Sequence, residues 1–207
     1  MAGESDAAGY WDDACALGDA TRSWFEEYPD MSLGMLDSAG VSAKDAVIDV
    51  GGGASSLAGI LLKRGYSDIT VLDISAAGMQ CARRRLGPQA EYVHWLTADV
   101  LTWQPRQRYQ VWHDRAVFHF LITTEHRRQY QQTLAAATAA DAIAVFGCFA
   151  PDGPQQCSGL PVARYSPAQL AKQLGGRWLL ISQDRQEHIT PAGTIQPFTW
   201  AAFRKQS

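Results

Sequence analysis

The apolar positions of this chain change their period along its length. Over residues 10–38 large apolar side chains recur at helical spacing, at Tyr10, Trp11, Leu17, Trp24, Phe25, Tyr28, Leu33 and Leu36. Pro29 lacks an N–H and divides that stretch into two predicted helices. The first eight or nine residues are small and polar and read as disordered. From residue 46 short apolar runs alternate with helical patterns. AVIDV (46–50) suits a buried parallel strand, and Ser55–Arg64 reads as a helix with Gly65 just past its end. ITVLDI (69–74) is a second strand; Ser75 caps the next helix, which stops at Gly87-Pro88. A third strand lies within 91–100 and a fourth over 109–114. Thr124 caps a helix to about Ala137, and a fifth strand occupies 142–150. Ser166-Pro167 opens a helix ending at Gly175-Gly176, and two strands joined by a Pro/Gly turn finish the chain.

Strands alternating with helices predict an α/β fold: a Rossmann-like, mostly parallel seven-stranded sheet with helices on both faces. The closing pair has no helix between its strands, which makes the last strand antiparallel. A helical cap or lid is expected over residues 1–40, ahead of the main domain at 41–207.

The 207 residues are 46% hydrophobic, enough for one compact domain, and the formal net charge of -3 gives no global attraction to nucleic acid or anionic membrane. Cys15, Cys81, Cys148 and Cys157 form no CxxC pair and no secreted disulfide framework. No stretch is long and apolar enough for a membrane span, and the acidic N-terminus does not read as a signal peptide, so a reducing cytoplasm is the expected compartment.

The first strand runs straight into three glycines, VIDVGGGASS (47–56), where backbone amides can approach a ligand at the start of a helix. Asp73, at the end of the second strand, lies 22 residues past Gly51 (73 − 51), close to the spacing at which a strand-end acid meets ribose hydroxyls. A dinucleotide fingerprint would place a third glycine where Ser56 stands. Asp49 is the sharper discriminator: a carboxylate there repels a pyrophosphate and attracts a cationic amino group, which S-adenosylmethionine (SAM) carries. A third acid, Asp99 in TADV, follows the third strand, placed for the adenine amino group, with the Val100 amide beside it. The alternative for each acid is to cap a turn. A Tyr-x-x-x-Lys pair for an NAD-linked reductase is absent, with no lysine between Lys63 and Lys172.

With these residues the sequence resembles the class I SAM-dependent methyltransferase family over about residues 40–205. The resemblance implies that Asp49, Gly51, Gly53 and Ser55 form the first cofactor motif, Ser55 standing where a glycine is usual. It implies that Asp73 and Ile74 in VLDIS hold the ribose, and that Asp99 and Val100 hold the adenine. One departure is TAAD (138–141), where the family usually has a Pro-Gly-Gly turn before the fifth strand. YW…SWFEEYP, GYSDITVLDIS, WHDRAVFHFL and CSGLPV are similar to small bacterial methyltransferases of undefined substrate, and the YW…WF opening is more distantly similar to protein lysine methyltransferases.

In this fold the ligand lies outside the carboxyl ends of the strands, so the residues after the fourth strand face the methyl group. His119 is the candidate general base, since imidazole titrates near neutrality; the alternative is a buried histidine bonding a backbone carbonyl. Asp114 is a candidate to contact the cofactor or orient an amine acceptor, or else to pair with Arg115. Arg115 is a candidate for the methionine carboxylate or a substrate acid. His113 is expected on the opposite face. No metal-ligand spacing is matched. Tyr10, Trp11, Trp24 and Phe25 are candidates for a lid or for packing. Short connections after strands four and five favour a small-molecule acceptor over a protein lysine; a SAM-binding module without turnover is a further alternative.

Overall fold

The computed structural model describes residues 8–13 and 23–206. Seven strands form one sheet: β1 (Val47–Val50), β2 (Ile69–Asp73), β3 (Val93–Thr97), β4 (Tyr109–Arg115), β5 (Thr138–Phe149), β8 (Trp178–Ile189) and β9 (Ile195–Lys205). Their order is β3-β2-β1-β4-β5-β9-β8. β1 pairs in parallel with β2 and β4, β2 with β3, and β4 with β5. β9 runs antiparallel to both β5 and β8. The predicted seven-stranded, mostly parallel sheet with an antiparallel last strand is therefore what the chain builds. The last strand is not an edge: it inserts between β5 and β8. The chain winds outward from β1 to β3, then crosses back to β4. This reversal opens a crevice at the carboxyl ends of β1 and β4.

Helices cover both faces. On one side α1 (Asp30–Ser38), α2 (Leu57–Lys63) and α3 (Ala76–Leu86) bring Leu33, Leu36, Leu57, Leu61 and Met79 against Val47, Val71 and Val111. On the other, α4 (Thr124–Ala137) and α5 (Pro167–Leu174) bring Tyr130, Leu134 and Leu170 against Ile48, Trp112 and Phe146. Neighbouring positions of β1 and β4 go to opposite cores, as strand alternation requires. Two of the caps read from the sequence are present, and the third is displaced by one residue. Ser75 accepts from Gly78 N at 2.9 Å, Thr123 (one residue before the predicted Thr124) from His126 N, and Ser166 forms a capping box with Gln169.

Three boundaries differ from the sequence reading. Of the two helices expected over 10–38, one is seen at residues 8–13, so that Ala8 and Gly9, at the end of the stretch read as disordered, are helical, and α1 begins just after Pro29; residues 1–7 and 14–22 lie outside the described residues. β5 starts at Thr138, directly against the end of α4, not at 142. TAAD is a bulge, since the pairing jumps from Tyr109↔Thr138 to Val111↔Ile143, and Asp141 takes φ +56°, a left-handed conformation aspartate tolerates better than most non-glycine residues. The loop after β5 holds a two-stranded hairpin, β6 (Gln156–Cys157) with β7 (Leu160–Pro161). No helix among the described residues is long and apolar enough to cross a membrane.

Candidate active site

β1 delivers the chain into the glycine turn at the crevice. Gly51 has φ +71°, and a side chain there would meet Val117 Cγ2 at 2.1 Å. A Cβ on Gly52 would fall 2.2 Å from Asp49 Oδ2, and one on Gly53 would fall 2.6 Å from Asp73 Oδ2. The two acids thus lie against the glycine backbone, which explains why side chains are missing there. Gly52 belongs with its neighbours on this evidence, although alternation picks out only Gly51 and Gly53.

Asp73 accepts from Gly53 N at 2.8 Å and from Ser75 N at 2.7 Å. Burial pushes its carboxyl up to about 6, against the lowering effect of those two amides. Asp49 has no backbone donor among the described residues. Its Oδ1 lies 2.7 Å from His113 Nδ1, and its Oδ2 is buried without a partner. Asp99 caps its own turn, accepting from Leu101 N at 2.8 Å, with Val100 buried beside it. Half-buried Ser55 accepts from Leu57 N at 3.0 Å at the start of α2. Ile74 is half-buried after β2.

The residues after β4 divide between the two faces. His113 and Arg115 lie on the α1–α3 side with Asp49; Asp114 lies on the α4 side. His113, expected on the far face, instead bridges Asp49 and Ser32 Oγ, the latter at 3.0 Å from Nε2. Asp114 is fully buried. Its oxygens take Val117 N at 2.8 Å, Phe118 N at 3.1 and 3.2 Å, and the Tyr130 hydroxyl, which itself accepts from Trp112 Nε1. Burial pushes the Asp114 carboxyl up to about 6. Its bonds hold the 3-10 turn Phe118–Phe120 in place, and none points into the crevice.

Arg115 and His119 are packed beside the Phe149–Phe198 ring pair. The Arg115 guanidinium lies 5.6 Å from the Phe198 ring, and the His119 ring 4.9 Å from Phe149. Arg115 donates from Nη1 to Trp24 O at 2.6 Å and lies 3.1 Å from Glu26 Oε1. Its Nη2 makes that ion pair, and its Nε is buried without a hydrogen-bond partner. Gln186 Nε2, at 2.9 Å, and His188 Nδ1, at 3.1 Å, meet the same Glu26 oxygen, while Oε2 is unpartnered. Burial acts to raise the Glu26 carboxyl, but His188, Arg115 and Gln186 together hold it below its usual range. His119 Nδ1 takes a long bond of 3.5 Å from Phe149 N, and its Nε2 is buried and unpartnered. Burial, and then the Arg115 charge, push this imidazole down to about 3. It is neutral at pH 7 and does not titrate near neutrality as the sequence reading supposes. Cys157 is buried, and its thiol is pushed up to about 11.

The helical residues 8–13 lie across this edge. Asp12 Oδ1 accepts from Ser75 Oγ at 2.7 Å and from Ala77 N at 3.0 Å; Trp11 stacks edge-on against Phe120 at 5.2 Å; the Tyr10 hydroxyl donates to Ser158 O. Phe25 lies under Arg85 at 5.0 Å.

The methyltransferase-domain family profile matches residues 47–141, from β1 through the glycine turn, the three strand-end acids and β4. Those residues form a SAM-dependent methyltransferase domain. Solved structures share its fold at low identity. The 1,6-didemethyltoxoflavin-N1-methyltransferase of Burkholderia thailandensis superposes with TM-score 0.73 at 16% identity, covering 100% of this chain and 92% of that one. The N-methyltransferase NodS of Bradyrhizobium japonicum gives 0.71 at 14%, covering 97% and 98%. A SAM-dependent methyltransferase of Anabaena variabilis gives 0.72 at 13%, covering 98% and 95%. No curated protein sequence matches.

The crevice of this methyltransferase fits SAM on its own terms. The side-chain-free cradle at Gly51–Gly53 leaves room for a nucleoside, and the orphaned Asp49 oxygen is an acceptor for an ammonium group.

Proposed function

We propose that this methyltransferase moves the methyl group of SAM to a nitrogen, oxygen or sulfur atom of a small molecule held between the end of β4 and residues 8–13. When bound, SAM supplies a methyl on a sulfonium, an electrophile that needs alignment and exclusion of water. The proposed roles are these. Asp49 accepts from the amino group of SAM, and Asp73 from its ribose, with Ile74 packing beside it. Asp99 and Val100 meet the adenine. Gly51, Gly52 and Gly53 leave the space, and Ser55 fixes the start of α2.

Arg115 and His119 line the acceptor side. The Arg115 Nε atom is a donor in need of an acceptor, and a neutral imidazole whose Nδ1 accepts from Phe149 carries its proton on Nε2. Together they favour an acceptor that presents an oxygen, with His119 orienting it as a hydrogen-bond donor. The low basicity of His119 argues against a general base active at neutral pH. Asp114 is given a supporting role: it shapes the turn that carries His119.

The observation that carries the small-molecule reading is enclosure. The polar atoms of Asp49, Arg115 and His119 are buried, and residues 8–13 are bonded at one end to the start of α3 and at the other to the loop after β5. A protein lysine needs an open rim. NodS and the toxoflavin-precursor enzyme, by their names, methylate nitrogen, which suits the same reading. Incubating the enzyme with methyl-labelled SAM and bacterial extract, then separating by size, tests it. Label in the low-mass fraction is expected; label confined to protein would overturn it.

A further inference from the structure

His113 is a buried, doubly bonded group at this site to which the methyl transfer gives no task. It is 2% exposed, as is Asp49, and Ser32 is 1% exposed. The three form a chain: Ser32 Oγ to His113 Nε2 at 3.0 Å, and His113 Nδ1 to Asp49 Oδ1 at 2.7 Å. Asp73 is held by the backbone amides of Gly53 and Ser75, and Asp99 by the amide of Leu101. Asp49 is not; among the described residues its only hydrogen-bond partner is the His113 ring. A carboxylate on a two-fold torsion rotates easily when nothing holds it. With Oδ1 fixed on the imidazole, Oδ2 stays against Gly52, where it is free to accept. The ring is held in turn by Ser32, in the first turn of α1, and by the Trp200 ring at 6.3 Å and a 32° tilt.

We infer that His113 is a positioning residue that aims Asp49 at the amino group of the cofactor, and that Ser32 orients the imidazole so that cofactor affinity depends on how α1 is seated. This rests on the reading that Asp49 meets that amino group. It is a carboxylate–imidazole–hydroxyl chain used for binding, since the hydroxyl at its end, Ser32, is buried in α1 away from any acceptor.

Two ligands separate a positioning role from a structural one. S-adenosylhomocysteine carries the amino group; 5′-methylthioadenosine lacks the whole amino-acid part. Calorimetry on both, with His113→Phe, His113→Gln, His113→Asn, Ser32→Ala and Asp49→Asn, reads the selectivity. His113→Phe keeps the volume and loses both bonds. Asn places a donor near Nδ1, and Gln places one near Nε2. His113→Phe and His113→Gln should weaken S-adenosylhomocysteine about tenfold and leave 5′-methylthioadenosine within about twofold. His113→Asn should stay within about threefold of the parent for both ligands, and Ser32→Ala should cost S-adenosylhomocysteine about threefold. If Asp49→Asn is selective while the His113 variants weaken both ligands equally, or neither, the positioning role is refuted. If Asp49→Asn itself shows no selectivity, the reading of Asp49 fails and the inference falls with it. Ser32→Ala and His113→Asn are small changes that keep the test usable if His113→Phe does not fold.

Discussion

The turn after β1 and the pocket behind the end of β4 share one edge of the sheet but are built by different means. The turn is local. Its three glycines and Asp49 lie within five consecutive residues, and Asp73 reaches it from the adjacent strand. The pocket is long-range. Glu26 comes from the segment before α1, Arg115 and His119 from β4 and the turn after it, and Gln186 and His188 from the closing hairpin, the Gln186–Glu26 bond spanning 160 residues of sequence. In the turn, backbone amides satisfy Asp73, and Asp99 caps a turn of its own. In the pocket, side chains answer one another and leave buried donors over. A nucleoside common to a whole family needs the first kind of construction. An acceptor that differs from enzyme to enzyme needs the second, because side chains there can change without disturbing the sheet.

The comparison breaks most sharply if the turn tolerates bulk. Gly52→Ala would put a methyl group 2.2 Å from Asp49 Oδ2, and His113 holds that carboxylate from the other side. S-adenosylhomocysteine affinity should fall by about 100-fold, equivalent to the loss of two good hydrogen bonds. Calorimetry giving near-parent affinity would mean that the cradle is not where the nucleoside sits.

Next in size is the pocket itself. Arg115→Met removes the cation beside Glu26 and leaves a mostly buried carboxylate with only His188 and Gln186. Turnover with the natural acceptor should drop at least tenfold while S-adenosylhomocysteine affinity stays within about threefold, if the two regions are as separate as they look. Stability should fall by about 2 kcal/mol, or about 4–8 °C in Tm, and adding Glu26→Gln should recover part of it because the stranded charge is gone. Loss of cofactor binding in Arg115→Met would instead assign the guanidinium to the methionine carboxylate.

How far each region could be read from the sequence follows from the same contrast. Asp49, Asp73 and Asp99 were legible because strand ends can be found from apolar runs and the acids sit at those ends. Gly52 was missed because alternation selects Gly51 and Gly53; what fixes Gly52 is the Asp49 carboxylate folding back onto it, which no spacing reveals. His113 lies on the face opposite to the one expected, and strand alternation makes it share that face with Arg115. Glu26, Gln186 and His188 carry no local signature. His119 was found by type and place, but its charge state depends on burial among Phe120 and Phe149 and on the Arg115 cation, which only packing supplies.

The charge state gives the next test. Unfolded, His119 titrates near 6.5; folded, near 3. Between those values the unfolded chain binds the proton more tightly, so this residue makes the protein less stable as pH falls below about 6.5. From pH 7 to pH 5 its share is about 2 kcal/mol. Asp73 and Asp114 act in the opposite sense. Their folded values near 6 lie above 3.8, so their contribution is fully present below about pH 4 and is lost as pH rises through 6. In His119→Asn the acid-side loss of Tm should shrink while the opposing carboxylate trend remains. An unchanged Tm difference between pH 7 and pH 5 would show that His119 is reached by solvent in the folded protein.

The smallest effect belongs to the segment that joins the two regions. Residues 8–13 touch the cofactor side through Asp12, on Ser75 and Ala77, and the acceptor side through Trp11 and Tyr10, on Phe120 and Ser158. Tyr10 is exposed, and its bond is to a loop carbonyl, so the contact contributes little to stability. Asp12→Asn keeps an oxygen for the Ser75 hydroxyl and the Ala77 amide but removes the charge at the start of α3, an effect of about 0.5 kcal/mol. If the segment acts as a lid over both ligands, Asp12→Asn and Tyr10→Phe should each raise the dissociation rate of S-adenosylhomocysteine about two- to fivefold with the association rate nearly constant, as stopped-flow fluorescence of the nearby tryptophans would read. Unchanged rates in both variants would make the segment packing alone, and enclosure of the acceptor would then have to come from the loop after β5.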